Sequence, residues 1–102
     1  MAEPTPSEVE DRTQKALAAA IPNLYANGYL NHLGTGDILT VLEQNGRAVA
    51  TMNLSFTTAK SLALSLLQLI GQLEQTTGRS MLTIPELEQM MMQKQTLKKP
   101  EK

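Results

Sequence analysis

The sequence predicts an α+β fold: a three-stranded antiparallel meander with a long helix packed across it, a short helix at each end, and association into an oligomer. Two observations predict this fold. Asn45-Gly46 separates two apolar segments, as in a β-hairpin with a two-residue turn. Residues 56–77 form a segment of about six helical turns that is apolar around most of its circumference. The 102 residues are expected to form a single domain, residues 7–93.

The N-terminal region begins with residues 1–6, which contain two prolines and no apolar pattern, and which we expect to be disordered. A first helix is predicted over residues 7–21. Ser7 and Glu10 have the spacing of a capping box at its start, and Pro22 follows its end.

Three strands are predicted over residues 24–33, 38–44 and 47–54. A type I′ turn at Asn45-Gly46 would pair Gln44 with Arg47, Leu42 with Val49 and Thr40 with Thr51. This register predicts a core face and a second, partly apolar face. The core face would carry Leu39, Val41, Ala48, Ala50, Met52 and Leu54, and the second face would carry Ile38, Leu42 and Val49 among threonines and Asn53.

The long helix is predicted over residues 56–77, with Ser55 as its N-cap and Gly78 as the left-handed residue that ends it. One narrow stripe of this helix, which we call the polar stripe, carries Ser61, Ser65, Gln68, Gln72 and Gln75. The apolar arc is wider than one small sheet can cover, and Leu64 and Leu67 lie among its flanking residues. We therefore expect a second copy of the chain to meet this arc.

A last helix is predicted over residues 84–93. Thr83 and Glu86 form a capping box, and Leu87, Met90 and Met91 give the helix one apolar side. Because methionine adapts to irregular surfaces, this helix could dock a partner, or it could pack on its own domain or on a twin. Residues 94–102 are interpreted as a basic disordered tail.

The segment from Leu24 to Gly78 resembles small bacterial proteins grouped as domain of unknown function 3467. The shared features are a Tyr-x-Asn strand at Tyr25 and Asn27, an acidic residue opening the next strand at Asp37, and an Ala-Lys pair at residues 59–60 in the following helix. This family has no established chemistry, so the resemblance implies no functional residues.

The composition argues against several classes of function. A net charge of -1 provides no field to attract nucleic acid or an anionic membrane, and the absence of cysteine removes disulfides and thiolate ligands. The polar, acidic N-terminus does not resemble a signal peptide, so we expect a cytoplasmic protein that does not enter membranes. His32 is the single histidine, and no metal, cofactor or catalytic site is expected. An enzyme would need a pocket built from residues such as Tyr25, Tyr29 and His32.

The function predicted from these features is a non-enzymatic, homo-oligomeric protein-binding module: an adaptor, inhibitor or assembly factor. Its expected partners are a second copy of the chain and another protein. The predicted interface residues are Ile38, Leu42, Val49, Leu64, Leu67, Leu87, Met90 and Met91. Two alternatives stay open. One is a ribbon-helix-helix-like DNA-binding regulator reading DNA through Arg47, Thr51 and Asn53, and the other is a small holdase-type chaperone.

Overall fold

The computed structural model describes residues 3–98, and side-chain surroundings are described for residues 3–94. Its elements, in chain order, are α1 (Pro6–Ala18), β1 (Gly28–Leu33), β2 (Asp37–Gln44), β3 (Arg47–Ser55), α2 (Phe56–Thr77) and α3 (Ile84–Lys98). The strands form one antiparallel sheet in the order β1-β2-β3. Three helices and an open three-stranded sheet confirm the predicted α+β class.

Helix α1 begins earlier and ends earlier than predicted. Thr5, rather than Ser7, is the N-cap: its hydroxyl oxygen accepts a hydrogen bond from the Glu8 amide at 3.2 Å, and Pro6 occupies the first turn, where its missing N–H is harmless. The helix ends at Ala18, and its C-cap Ala19 is already extended, three residues before Pro22. Residues 1 and 2 of the predicted disordered start lie outside the described residues.

Strand β1 is four residues shorter at its start than the predicted 24–33. Gly28 pairs with Glu43, next to the point where β2 ends and the chain turns back at Asn45-Gly46. Residues 24–27 therefore have no strand beside them to continue the ladder. Asn27 instead uses its backbone amide to bond the Glu43 carbonyl at 3.0 Å.

The hairpin turn is confirmed, but the predicted register beyond it is wrong. Asn45 and Gly46 have φ values of 53° and 81°, as a type I′ turn requires, and Gln44 pairs with Arg47. A β-bulge then adds Val49 as an extra residue in β3, so that Leu42 pairs with Ala50 and Thr40 pairs with Met52.

The bulge changes which side chains share a face of the sheet. Because side chains alternate along a strand, one inserted residue moves the rest of β3 to the opposite face of β2. Met52 and Leu54 lie on the face of Ile38, Thr40 and Leu42, and not with Leu39 and Val41 as predicted. We call the face that carries Met52 and Leu54 the inner face, because α2 packs against it. The opposite face of the sheet is the outer face.

Helix α2 has the predicted bounds and caps. The Ser55 hydroxyl oxygen accepts from the Thr58 amide at 3.2 Å, and Gly78, at φ 68°, donates its amide to the Glu74 carbonyl at 2.8 Å. The helix returns across the sheet from the end of β3. Within residues 3–98, it is the one helix that packs on the sheet through more than isolated contacts.

Helix α3 is longer than predicted. It continues through Lys98, so residues 94–98 of the predicted disordered tail are helical, and residues 99–102 lie outside the described residues. The added part, residues 94–98, contains glutamine, lysine and leucine, which are good helix formers, and it contains neither glycine nor proline.

The packing of the single chain is open. Among residues 3–94, no side chain is fully buried; the half-buried ones belong mainly to β2 and to the inner-face positions of β3. The radius of gyration is 18.1 Å, whereas a compact domain of this length has one of about 13 Å.

Substituting Gly46 with valine is expected to lower the free energy of unfolding by about 1–3 kcal/mol, because a β-branched residue resists positive φ. Denaturant unfolding of the variant measures this change. Gly36→Val is the matched control: Gly36 also lies in a loop between strands, its φ is not positive, and an added Cβ there meets no atom within 4 Å. Equal stability of the two variants would contradict the role given to the turn.

Candidate protein-interaction surface

The first part of the candidate surface is a groove between α2 and the inner face of the sheet. It has a volume of about 400 Å³. Strand side chains form its floor and small or branched side chains of α2 form its wall. The lining residues are Asn31, Ile38, Thr40, Leu42, Met52, Leu54, Ala59, Leu62, Ala63 and Leu66.

The groove is almost wholly apolar, with one polar pair in it. The Thr40 hydroxyl donates to the Asn31 side-chain oxygen at 2.7 Å, across the β1–β2 pairing that sets the two residues opposite each other. Each of these two side chains satisfies part of the other's hydrogen-bonding capacity, so an apolar surface can cover the pair at little cost. Leu66 lines the groove and is still 52% exposed, so α2 alone does not close it.

The predicted interface residues fall on four separate surfaces. Ile38 and Leu42 line the groove beneath α2, Val49 projects from the bulge of β3, and Leu64 and Leu67 lie on the exposed flank of α2. The remaining three, Leu87, Met90 and Met91, are on α3, and each is about half exposed. The structure therefore brings together Ile38 with Leu42 and Leu64 with Leu67, but not the set as a whole.

The outer face of the sheet carries two of the three residues assigned to DNA reading in the ribbon-helix-helix alternative. Thr51 pairs with Val41 and Asn53 pairs with Leu39, which places both on the face opposite α2, whereas Arg47 sits beside the hairpin turn. His32 is also on the outer face, opposite Leu39.

The three residues considered for an enzyme do not converge. Tyr29 pairs with Leu42 on the inner face, His32 belongs to the outer face, and Tyr25 precedes β1 and is 67% exposed. Within the described residues, no cluster of three or more histidine, aspartate or glutamate side chains could hold a metal ion. None of the helices in the described part of the chain has the length and apolar character needed to cross a bilayer.

Two sets of polar contacts that the sequence does not predict order the hairpin turn and the loop after α2. The Asn27 side chain donates to the Asn45 side-chain oxygen and accepts from the Asn45 amide, each at 2.9 Å, so it clamps the hairpin turn. The Glu74 carboxylate accepts from the Met81 amide at 2.6 Å and orders the loop after α2. Both sets of contacts join residues that no local pattern connects.

The N-terminus of α3 has the predicted capping box. Thr83 donates its amide to the Glu86 carboxylate at 2.8 Å, and the Glu86 amide donates to the Thr83 hydroxyl oxygen at 3.3 Å. Two hydrogen bonds to its carboxylate lower the pKa of Glu86 below the ordinary glutamate value. The larger effect comes from the Thr83 amide and the smaller from the Thr83 hydroxyl.

Because the pKa of Glu86 is lower in the folded state, its stabilising effect on α3 is present above the ordinary glutamate pKa and is lost as pH falls through the lowered value. We expect the first turn of α3 to fray on acidification, as the pH falls from the ordinary glutamate pKa through the lowered pKa of Glu86. The protection of the Thr83 amide from hydrogen exchange, relative to its intrinsic exchange rate at each pH, measures this fraying. Glu86→Gln should remove the pH dependence of this protection, and an unchanged pH profile of the protection in that variant would assign the fraying to another group.

No family model matches this chain, and neither the curated proteins nor the solved structures contain a significant match. The resemblance to domain of unknown function 3467 therefore stays a prediction.

Proposed function

We propose that the protein is a non-enzymatic, homo-oligomeric protein-binding module that acts as an adaptor, inhibitor or assembly factor. One observation carries the proposal: the chain exposes 9469 Å² of surface, whereas a compact protein of its mass exposes about 5,700 Å². Large apolar side chains are exposed on the sheet and on the helices, among them Leu30 and Leu33 on β1 and Met92 on α3. Exposed apolar surface on this scale is typical of an interaction site.

A second copy of the chain is the first partner in this proposal. Association of an obligate dimer buries on the order of 2,000–5,000 Å² of accessible surface, counted over both chains. The surface that this chain exposes in excess of a compact protein of its mass is of that order or more. Folding needs buried apolar area to offset the loss of conformational entropy, and a single copy supplies little of it. Assembly would supply the rest.

A different protein is the second partner, and α3 is the element proposed to bind it. Its first turn approaches β1, where Ile84 and Pro85 line a hollow with Asn27 and Tyr29. Met90 and Met91, further along the helix, are more than half exposed. Flexible methionine side chains at such positions suit a groove of irregular shape on a partner.

Light scattering across a concentration series of the full chain tests the proposal. We expect a molar mass of at least twice 11.2 kDa at micromolar concentrations. A monomer at every concentration would overturn the homo-oligomeric part. For the second partner, a pull-down with the full chain is compared with Met90→Lys/Met91→Lys; equal recovery of the same protein by both would overturn the role of α3.

The open groove also favours a second candidate, a small holdase-type chaperone. An apolar groove of about 400 Å³ that α2 leaves open could hold a segment of an unfolded chain. Suppression of the aggregation of a heat-denatured client protein, with apolar dye bound by the assembled oligomer, would favour this candidate. An assembled form that binds no dye would contradict it, because association would have closed the groove.

A further inference from the structure

A row of five residues runs along the flank of α2: Lys60, Leu64, Leu67, Gly71 and Glu74, which we call the flank stripe. Their spacing of four, three, four and three residues keeps them within about one quarter of the helix circumference. The groove residues Ala59, Leu62, Ala63 and Leu66 belong to a different side of the helix. The flank stripe is therefore free of the sheet.

The middle of the flank stripe is apolar and open. Leu67 is 68% exposed, the largest exposed fraction among the leucines of α2, and Leu64 is 54% exposed. Gly71 lies one turn further on, and a Cβ added there would meet no atom within 4 Å. Glycine inside a helix costs about 1 kcal/mol relative to alanine. Among the described residues of the single chain, nothing packs against Gly71 to offset that cost, but the close approach of a second helix would.

The two ends of the flank stripe carry opposite charges. Lys60 lies seven residues before Leu67 and Glu74 lies seven residues after it. Lys60 forms no ion pair with any residue among 3–94, and Glu74 commits one carboxylate oxygen, Oε2, to the loop after α2. Two antiparallel copies of the stripe centred on Leu67 would place each lysine opposite a glutamate. Two parallel copies would place like charges together, which is unfavourable.

The geometry points to a two-fold interface in which α2 packs antiparallel against α2 of a second copy, with Leu67 at the two-fold axis. Leu64 then fits beside Gly71 of the partner subunit, where the missing side chain leaves room, and Lys60 pairs with Glu74 of the partner subunit. The interface is self-complementary, as a two-fold axis requires. This inference rests on the proposed homo-oligomer and assigns it a surface, an orientation and a register.

Single cysteines test this arrangement directly, because the chain has none of its own. Full-length Lys60→Cys and Glu74→Cys are each treated with a short bis-maleimide cross-linker, alone and as an equal mixture, and Leu67→Cys is treated alone. Ser65→Cys, on the polar stripe of α2, is the matched control. We expect cross-links in the mixture and in Leu67→Cys, formed about a hundredfold faster than in the control, since paired thiols have an effective concentration in the millimolar range.

The outcomes separate this inference from the proposed function. Cross-linking of Lys60→Cys alone would show parallel helices and overturn the inference. A mass in solution of a dimer or larger, with every variant cross-linking as slowly as Ser65→Cys, would overturn the interface and leave the homo-oligomer standing. A monomeric mass would overturn both.

Gly71→Leu gives a second readout whose sign decides. Leucine is the better helix former, so at a solvent-exposed site the substitution would stabilise α2 and leave association unchanged. At the inferred interface it would fill the space that Leu64 of the partner subunit occupies, and we expect dimerisation about tenfold weaker. Unchanged or tighter dimerisation would overturn the close approach at Gly71.

Discussion

Leu67→Asp is expected to convert the oligomer into a monomer while α2 stays helical. Leu67 points away from the groove and is the most exposed leucine of α2, so the substitution places an aspartate where the proposed interface needs an apolar surface. Desolvating the carboxylate in both copies should weaken association by about 3 kcal/mol, or roughly a hundredfold. Light scattering measures the mass, and circular dichroism measures the helix.

Ser65→Asp is the control for this prediction. It adds the same charge two residues earlier on the polar stripe of α2, which the proposed interface leaves in water, and we expect the mass of this variant to equal that of the original chain. A Leu67→Asp protein that keeps its oligomeric mass would remove Leu67 from the interface. The proposed surface would then have to lie on the groove or on α3.

The features that the sequence predicted well are determined by neighbouring residues. Ser55 and Gly78 define α2 because a hydroxyl can cap an amide three residues away and glycine can adopt positive φ without strain. The turn at Asn45-Gly46 is specified in the same way. In each case the energy that decides the conformation comes from within a few residues, so the pattern is visible in the sequence.

The features that the sequence did not reveal depend on residues distant along the chain. The bulge lies in the run Ala48-Val49-Ala50, where all three side chains are apolar, so alternation does not mark the extra residue. The one-residue shift then reassigned the faces of β3. The clamp from Asn27 to Asn45 spans 18 residues, and only the pairing of β1 with β2 brings them together.

The candidate surface also has parts that neighbouring residues determine and parts that residues distant along the chain determine. Leu64 and Leu67 were predicted as a flank because helical periodicity alone places them there. Ile38 and Leu42 were assigned to the second sheet face, away from the predicted core, but the bulge made that face the one that α2 covers. The alternation of apolar residues predicts which side chains of one strand share a face. The register between strands decides which faces combine and which of them a helix covers.

Leu66→Asp is expected to act on folding rather than on association. Leu66 precedes Leu67 by one residue but projects about 100° away around the helix and lines the groove. An aspartate there loses the apolar contact of Leu66 with the groove but keeps part of its hydration, because this position is half exposed, and we expect the free energy of unfolding to fall by about 1–2 kcal/mol. Denaturant unfolding followed by circular dichroism measures the loss.

The control for Leu66→Asp is Gln68→Asp, which introduces the same charge two residues later on the polar stripe and should change stability by less than about 0.5 kcal/mol. If Leu66→Asp proves as stable as this control, the groove does not contribute to the folded chain, and α2 must be held in place by its partner. The neighbouring substitutions at residues 66 and 67 thus separate the two proposed roles of α2: one should lower the midpoint of unfolding, and the other should lower the molar mass.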